Sequence, residues 1–224
     1  MDSPGVNSCS LSFNIYISDI PTTLFTKLAY ADDLALAFTG PDWADVVNAM
    51  SKDLSTLHIY YHHNRLQLSK EKNVYALYHL NTRDMGRRLN ISVDGKATEF
   101  EPNPKYLGIK LDRSLTFKPH LTSVQQKVLS RCALLNRLAG TGWCASVSTL
   151  STSSLALAYP TAEYCSTAWS RSRNKKEVDA AINSALPTIT GCLKPTPTQY
   201  LPILAGIAPA SVRRNAATVR LALK

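Results

Sequence analysis

Two adjacent aspartates, Asp32 and Asp33, are the residues of this chain whose type and spacing most readily suggest chemistry. They lie within the stretch KLAYADDLALAF, with short apolar runs on both sides. Adjacent carboxylates repel each other, and burying them without a counter-charge is costly. Such a pair therefore faces either solvent, as turn aspartates commonly do, or a metal ion.

A rigid pair of carboxylates is a suitable site for Mg²⁺, which takes one or two protein carboxylates and completes its shell with water and substrate phosphates. In two-metal phosphoryl transfer, ions about 3.5–4 Å apart activate the attacking oxygen and stabilise the leaving oxygen. Because successive strand side chains point to opposite faces, Asp32 and Asp33 need not have equal roles. Both a magnesium site and a solvent-exposed turn remain open from these residues alone.

The residues around this pair predict a mixed α+β unit. Residues 26–30 and 34–38 are short apolar strands of a tight hairpin. Residues 42–63 carry apolar side chains three and four apart, which predicts a long amphipathic helix. Residues 11–21 predict the end of a helix or a strand that Pro21 closes. Further strands are predicted in four short alternating segments: LQLS, VYALYH, RLNISV and KYLGIKLD.

The second half of the chain has a helical pattern. Five apolar residues recur there at helical spacing: Leu121, Val124, Val128, Leu135 and Leu138. Lys127 and Arg131 lie one turn apart at the margin of that face. Residues 148–169 and 178–189 also predict helices, which their prolines must kink or end. The Pro-rich residues 194–214 predict an extended or irregular segment.

Charge divides the chain as the secondary-structure pattern does. The net charge is +9. Residues 1–112 hold 11 Lys/Arg against 13 Asp/Glu, whereas residues 113–224 hold 14 against 3. A basic half of this kind favours a polyanionic partner, most commonly nucleic acid, although a well-solvated basic surface is the alternative. We predict domains at 1–112, 113–195 and 196–224.

Cysteine usage and hydropathy favour an intracellular protein, cytoplasmic or nuclear. The five cysteines include no C-x-x-C pair, so neither a disulfide framework nor a zinc site is indicated. No apolar run approaches the roughly 20 residues of a membrane helix, and the N-terminus does not resemble a signal peptide. We expect no membrane partner.

His58 and His62 are four residues apart on the predicted long helix, a spacing that can hold a metal ion. The sequence offers no evident third ligand. A solvated helix face is therefore the favoured interpretation of this pair.

Five blocks of the sequence resemble reverse transcriptases of non-LTR retrotransposons, jockey-like elements in particular. YADD at 30–33 resembles the Y-x-D-D palm motif, and Gly5 with LSFNIYISDIP resembles the motif that follows the nucleotide-binding region. NRLQLSKEK resembles the next palm motif, with Lys72 on its lysine. YLGI followed by LD at 106–112 resembles the primer-grip hairpin. The thumb of the family and the region beyond it have similar segments in this chain: FKPHL, LNRLAGTGW and AEYCSTAW.

The resemblance implies a catalytic role for three residues. In the family, a primer 3′-hydroxyl attacks the α-phosphate of a dNTP. The resemblance implies that Asp32 binds both Mg²⁺ ions and that Asp33 supports this site. Lys72 would lie near the leaving pyrophosphate as a candidate general acid. The alternative for Lys72 is an exposed lysine at a strand edge.

The resemblance also implies nucleic-acid partners: an RNA template and a DNA primer, paired as an RNA–DNA hybrid. Tyr30 would lie beside the catalytic pair, and the backbone around Tyr106 and Gly108 would approach the primer end. A strand with a glycine bulge is the alternative for Gly108. Lys127 and Arg131 are the candidate contacts of the basic half with the duplex backbone.

Two family features are missing from this sequence. The first palm aspartate normally lies well upstream of the hairpin, and only 31 residues precede Asp32. Asp19 falls inside the FNIYISDIP block and cannot replace it, and no fingers region is present. We therefore expect a partial palm and a basic helical thumb that are inactive alone, so whether this chain is an enzyme stays open. The alternatives are a non-catalytic nucleic-acid-binding fragment and a degenerate element copy.

Overall fold

The computed structural model describes residues 15–69, 71–93, 95–140, 145–193 and 195–223. The chain forms two compact units, residues 1–102 and 103–224. The predicted α+β class is confirmed, since the described residues form helices and four two-stranded sheets. None of the described helices is long and apolar enough to cross a membrane.

The first unit contains the predicted hairpin around the aspartate pair. Strand β1 (Thr26–Tyr30) pairs antiparallel with β2 (Asp33–Ala37), and Tyr30 lies opposite Asp33. Only Ala31 and Asp32 form the turn, and Ala31 has a φ of 50°, in the left-handed region that L residues rarely adopt. We call residues 26–37 the YADD hairpin.

The predicted long helix is confirmed and anchors this hairpin. Helix α1 (Trp43–His63) begins after Asp42, whose side chain accepts a hydrogen bond from the backbone of Ala44. Asp53 is buried in α1, and its carboxylate accepts a 2.8 Å hydrogen bond from the Phe25 backbone N–H. Phe25 stacks on Phe38 with ring centroids 4.7 Å apart. The helix therefore fixes the open end of the YADD hairpin.

The remaining strands of the first unit are short. Strand β3 (Val74–Tyr75) pairs in parallel with β6 (Glu99–Phe100), and β4 (Ser92–Val93) pairs antiparallel with β5 (Lys96–Ala97). The predicted strand at LQLS is wrong. Those residues follow the end of α1, where the Leu66 N–H donates to the Tyr61 carbonyl at 2.8 Å and so extends the helix cap rather than a strand ladder.

The second unit contains one strand pair and seven helices among its described residues. Strands β7 (Lys105–Tyr106) and β8 (Ile109–Lys110) form an antiparallel pair that we call the LG hairpin. It lies in the second unit, although we predict a boundary after residue 112. The helices are α2 (Lys118–Leu138), α3 (Val147–Glu163), α4 (Ser166–Trp169), α5 (Lys175–Asn183), α6 (Leu186–Thr190), α7 (Leu201–Ala205) and α8 (Ala210–Ala222).

The core of the second unit follows the apolar spacing of α2. Leu121, Val128 and Leu135 on this helix are fully buried, and the helix packs against α3 and α5. Trp169 of α4 and Val178 of α5 are buried in the same cluster. The helical prediction for residues 118–138 is therefore confirmed.

The prediction of an extended or irregular segment over residues 194–214 is wrong for 201–205 and 210–214, which are helical, whereas 195–200 and 206–209 have no helix or strand. Pro202 lies in the first turn of α7 and Pro209 immediately precedes α8. Proline has no N–H, but the first turn of a helix leaves its N–H groups unpaired in any case, so proline there favours the helix start. Leu201 and Ile207 are buried in the core, which explains why the segment folds back.

Two adjacent arginines hold α8 in place. Arg213 makes a bidentate ion pair with Glu163 of α3, with Nη2 2.9 Å from Oε2. Arg214 makes a bidentate pair with Asp179 of α5, with Nη2 2.8 Å from Oδ2. The Arg214 guanidinium also lies 5.7 Å from the ring centroid of Trp169. These contacts, which we call the arginine clamp, join α8 to α3, α4 and α5.

We expect the two halves of the arginine clamp to differ in strength. Asp179→Asn leaves Arg214, which is 5% exposed, without its counter-charge, and should lower the free energy of unfolding by about 3 kcal/mol. Glu163→Gln should cost about 1 kcal/mol or less, because Arg213 and Glu163 are 32% and 25% exposed. Urea denaturation measures both, and equal losses would contradict this assignment.

Candidate catalytic hairpin and nucleic-acid interface

The tip of the YADD hairpin presents its polar groups to solvent. Asp32 and Asp33 are both exposed, and Tyr30 is 66% exposed. Leu28 is also 48% exposed, so the strands do not bury the apolar residues that flank the turn. The structure therefore brings Tyr30, Asp32 and Asp33 together on one accessible turn.

This donor set fits Mg²⁺ in kind, because carboxylate oxygens are the ligands that Mg²⁺ prefers. Among the described residues, no group of three or more His, Cys, Asp or Glu side chains could hold a metal ion. Asp32 and Asp33 supply the one or two carboxylates that Mg²⁺ usually takes from a protein. The metal site stays a prediction. Water and substrate would have to supply the remaining ligands of the ion.

Asp19, the other aspartate close to the YADD hairpin in sequence, is hydrogen-bonded to a residue of α1. The Tyr60 hydroxyl of α1 donates to Asp19 Oδ1 at 2.6 Å. Burial, together with the hydrogen bond to Asp19, raises the pKa of Tyr60 to about 12. Asp19 thus attaches the segment before the YADD hairpin to α1.

Lys72 and the histidine pair lie elsewhere in the first unit. Lys72 is exposed in a turn, where its N–H donates to the Ser69 carbonyl at 3.1 Å, directly before β3. His58 and His62 line a cavity of about 350 Å³ together with Gln67 and neighbouring residues. No third His, Cys, Asp or Glu ligand joins these histidines among the described residues. The role of Lys72 stays a prediction.

The turn of the LG hairpin is bound by a residue far away in sequence. Leu107 and Gly108 form this turn with φ of 46° and 84°, as the positive-φ two-residue turns of hairpins require. Gly108 therefore lies in a turn and not in a strand bulge. The Tyr164 hydroxyl donates to the Leu107 carbonyl at 2.8 Å, and a Cβ on Gly108 would lie 3.2 Å from Tyr164 Cε1.

The other end of the LG hairpin rests on α2. The Lys110 N–H lies 3.5 Å from Nδ1 of His120, which accepts its hydrogen bond. His120 is 5% exposed, and its Nε2 has no hydrogen-bond partner among the described residues. Burial lowers the pKa of His120, and the nearby Lys127 and Lys110 lower it further. His120 is therefore a neutral side chain that joins the LG hairpin to α2.

The loop between the LG hairpin and α2 is organised by Asp112. Its carboxylate accepts hydrogen bonds from the backbone and hydroxyl of Thr116 and from the backbone of Phe117. Burial alone would raise the pKa of Asp112, but these hydrogen bonds outweigh it and lower the pKa. The Thr116 carbonyl in turn accepts a 2.6 Å hydrogen bond from Ser172 Oγ. Residues 112–117 therefore connect the LG hairpin to the segment before α5.

The predicted basic contacts lie on α2. Lys127 is exposed, and Arg131, one turn further, is half-buried at the margin of the apolar face. Neither side chain forms an ion pair with an acidic residue of the described ranges. The ammonium group of Lys127 and the guanidinium group of Arg131 can each contact a phosphate. Their contact with a duplex backbone stays a prediction.

Comparisons with known proteins give three curated relatives. A retrovirus-related Pol polyprotein from type-1 retrotransposable element R1 4 of Nasonia vitripennis is 25% identical over 140 residues, which cover 62% of this chain and 36% of that protein. The RNA-directed DNA polymerase from mobile element jockey of Drosophila melanogaster is 26% identical over 135 residues, 56% of this chain and 14% of that protein. The probable RNA-directed DNA polymerase from transposon BS of the same species is 26% identical over 140 residues, 57% of this chain and 15% of that protein.

The predicted resemblance to polymerases of non-LTR retrotransposons is therefore confirmed. The chain spans between about one seventh and about one third of the length of these curated relatives. No family model matches it, and no solved structure matches it.

A glycine substitution tests the contact at the LG hairpin. Gly108→Ala should destabilise the second unit by more than Gly191→Ala, because both positions have positive φ but only Gly108 places a Cβ against another side chain, that of Tyr164. In a Tyr164→Ala background the two alanine substitutions should cost the same. Thermal denaturation measures the two glycine variants, Tyr164→Ala and the two double variants, and equal losses in the original background would contradict the contact.

The state of His120 predicts a pH dependence. Because its folded-state pKa is lowered, the unfolded chain binds the proton more readily. Its contribution to stability should be complete above the unfolded pKa of about 6.5 and should be lost as pH falls through the folded value. His120→Gln should remove this loss, whereas the exposed His63→Gln should retain it. Melting temperatures of the unmodified chain and the two variants between pH 7.5 and 5 test this prediction.

Proposed function

We propose that this chain is part of an RNA-directed DNA polymerase of a non-LTR retrotransposon and contains a partial palm with a basic helical thumb. One observation supports this most strongly: the YADD residues form a tight hairpin whose tip exposes Tyr30, Asp32 and Asp33 together. The three relatives, whose names describe polymerases or a Pol polyprotein, agree with this function.

Asp32 and Asp33 are the residues that would hold Mg²⁺ in this proposal, with Asp32 as the main ligand. When bound, Mg²⁺ would neutralise charge on the transferring phosphoryl group. Asp33 begins β2 opposite Tyr30, so the strand pairing keeps its backbone, and with it the tip, in a fixed geometry. Lys72, exposed in its turn, would hold a proton for the leaving pyrophosphate.

The proposed partners are an RNA template, a DNA primer and a dNTP. The exposed face of the LG hairpin at Tyr106 and Gly108 would lie along the primer, and Lys127 and Arg131 would contact backbone phosphates. Because the described residues offer no third carboxylate beside the aspartate pair, we propose that the chain alone does not extend primers. A non-catalytic nucleic-acid-binding role is the second candidate, and the excess of positive charge after residue 112 favours it.

Transplanting the YADD hairpin tests the catalytic proposal. Residues 26–37 would replace the corresponding segment of the jockey polymerase, and primer extension on an RNA template would be measured. The transplant should be active, and Asp32→Asn should abolish its activity without lowering its melting temperature, because Asp32 is exposed. Activity that survives Asp32→Asn would contradict the catalytic assignment.

Salt dependence tests the basic interface. Affinity of the whole chain for an RNA–DNA hybrid should fall steeply with salt, because each neutralised phosphate releases counterion. Lys127→Ala with Arg131→Ala should weaken binding and flatten the slope of log K against log salt by roughly 0.9 for each lost phosphate contact. Lys52→Ala with Lys96→Ala removes the same charge from exposed positions of the first unit and should change the slope little. Equal effects of the two double variants on the slope would show that net charge alone sets the affinity, and would contradict a specific interface at Lys127 and Arg131.

A further inference from the structure

A second basic surface lies on the first unit, which is otherwise acidic. Residues 1–102 hold 9 Lys/Arg against 12 Asp/Glu. Three of those nine are Arg83, Arg87 and Arg88, within six residues, and all three are exposed. We call residues 81–88 the arginine loop.

The arginine loop has an ordered backbone. A 3₁₀ turn spans Thr82–Asp84, and Asn81 Oδ1 accepts a 3.0 Å hydrogen bond from the Arg83 backbone. Asn81 Nδ2 donates to Asp84 Oδ2 at 2.8 Å, and the Arg87 N–H donates to the Asp84 carbonyl at 3.0 Å. The three arginines therefore leave the surface from fixed positions.

Two of the guanidinium groups lie on aromatic rings. The Arg88 guanidinium carbon is 3.7 Å from the ring centroid of Phe100, and that of Arg87 is 5.6 Å from the centroid of Trp43. Asp84 accepts from Nε of Arg87 at 2.8 Å, and the Arg87 carbonyl accepts from Nη1 of Arg88 at 3.2 Å. A guanidinium that stacks by its face keeps its edge donors available for a phosphate, and the stack reduces the freedom lost on binding.

The acidic groups near the loop do not neutralise it. Asp84 is the one carboxylate within the loop, so residues 81–88 carry a net charge of +2. Glu99 adjoins Phe100 in β6, where successive strand side chains point to opposite faces, and it forms no ion pair with Arg83, Arg87 or Arg88 among the described residues. The loop is thus a local positive surface.

We infer that the arginine loop binds the sugar–phosphate backbone of a nucleic-acid strand, separately from Lys127 and Arg131. Two positioned guanidinium groups and the exposed Arg83 lie on one loop, and bidentate arginine contacts suit phosphate oxygens. The choice of nucleic acid over another polyanion rests on the proposed function. The predicted contact is with backbone and therefore independent of base sequence.

Fluorescence anisotropy with a labelled 20-nucleotide RNA and the whole chain tests this inference. Arg83→Gln, Arg87→Gln and Arg88→Gln are combined, and the matched control combines Lys52→Gln, Arg65→Gln and Lys96→Gln, three exposed cations of the same unit. The loop variant should bind at least about fivefold more weakly than the control, with a salt slope lower by roughly 0.7 for each lost contact to single-stranded RNA. Equal affinity of the loop variant and the control would overturn the inference.

Further variants separate charge, folding and ligand class. Arg88→Lys keeps the charge but removes the planar fork, so weaker binding is expected, and unchanged binding would overturn the role of stacking. If the triple variant does not fold, Arg83→Gln alone should still lower the salt slope, because no contact of the Arg83 guanidinium supports the loop among the described residues. Competition by micromolar dNTP would identify a nucleotide site instead of a strand site. Stronger loop-dependent binding of polyglutamate than of RNA would indicate an acidic protein partner and overturn the inference.

The same titrations distinguish failure of this inference from failure of the proposed function. Loss of binding in the arginine-loop variant, with none in the Lys127 and Arg131 variant, would support the loop and contradict the proposed basic interface. The reverse pattern would overturn the loop alone. If the unmodified chain binds neither the RNA nor the RNA–DNA hybrid, both the loop and the proposed basic interface are contradicted.

Discussion

The arginine clamp is the interaction on which the architecture of the second unit depends. Arg213 and Arg214 are neighbours on α8 and reach carboxylates on two different helices, Glu163 at the end of α3 and Asp179 within α5. A buried arginine is tolerated only when its charge is paired and its donors are used, and Arg214 satisfies both conditions over the ring of Trp169. The clamp thereby closes the helical core from the C-terminal side.

The clamp also determines the charge of the surface that remains. After residue 112 the sequence contains three acidic residues, and the clamp uses two of them internally. Glu177 in the first turn of α5 is the third. Helices α2, α3 and α8 have no acidic residue in the first turn, so the positive ends of their dipoles are not compensated by a carboxylate there. An arrangement of this kind is unfavourable for an isolated domain and favourable for contact with a polyanion.

Local patterns in the sequence predicted those elements whose pattern is itself local. The YADD hairpin follows from two short apolar runs around a polar pair, and the helices from Trp43 and Lys118 follow from apolar spacing of three and four residues. The two helical parts of the segment 194–214 escape a composition-based prediction, because the proline content indicates a breaker, whereas proline at a helix start favours the helix. The clamp and the Tyr164 contact were missed, because they join residues 35 to 57 positions apart and leave no periodic trace. Recognition of family motifs placed the candidate site residues but not the contacts that hold them.

The two hairpins differ in which end is fixed, and this difference bears on how each could act. The YADD hairpin is held at its open end by Asp53 and by the stacked ring of Phe25, which leaves the aspartates at its tip accessible. The LG hairpin is held at both ends, because Tyr164 contacts its turn while His120 meets Lys110. The Leu107 carbonyl oxygen of its turn already accepts a hydrogen bond from the Tyr164 hydroxyl, so only the solvent-facing side of the turn is left for a ligand. A ligand-binding tip and a rigid support are therefore the roles for which these two hairpins are physically suited.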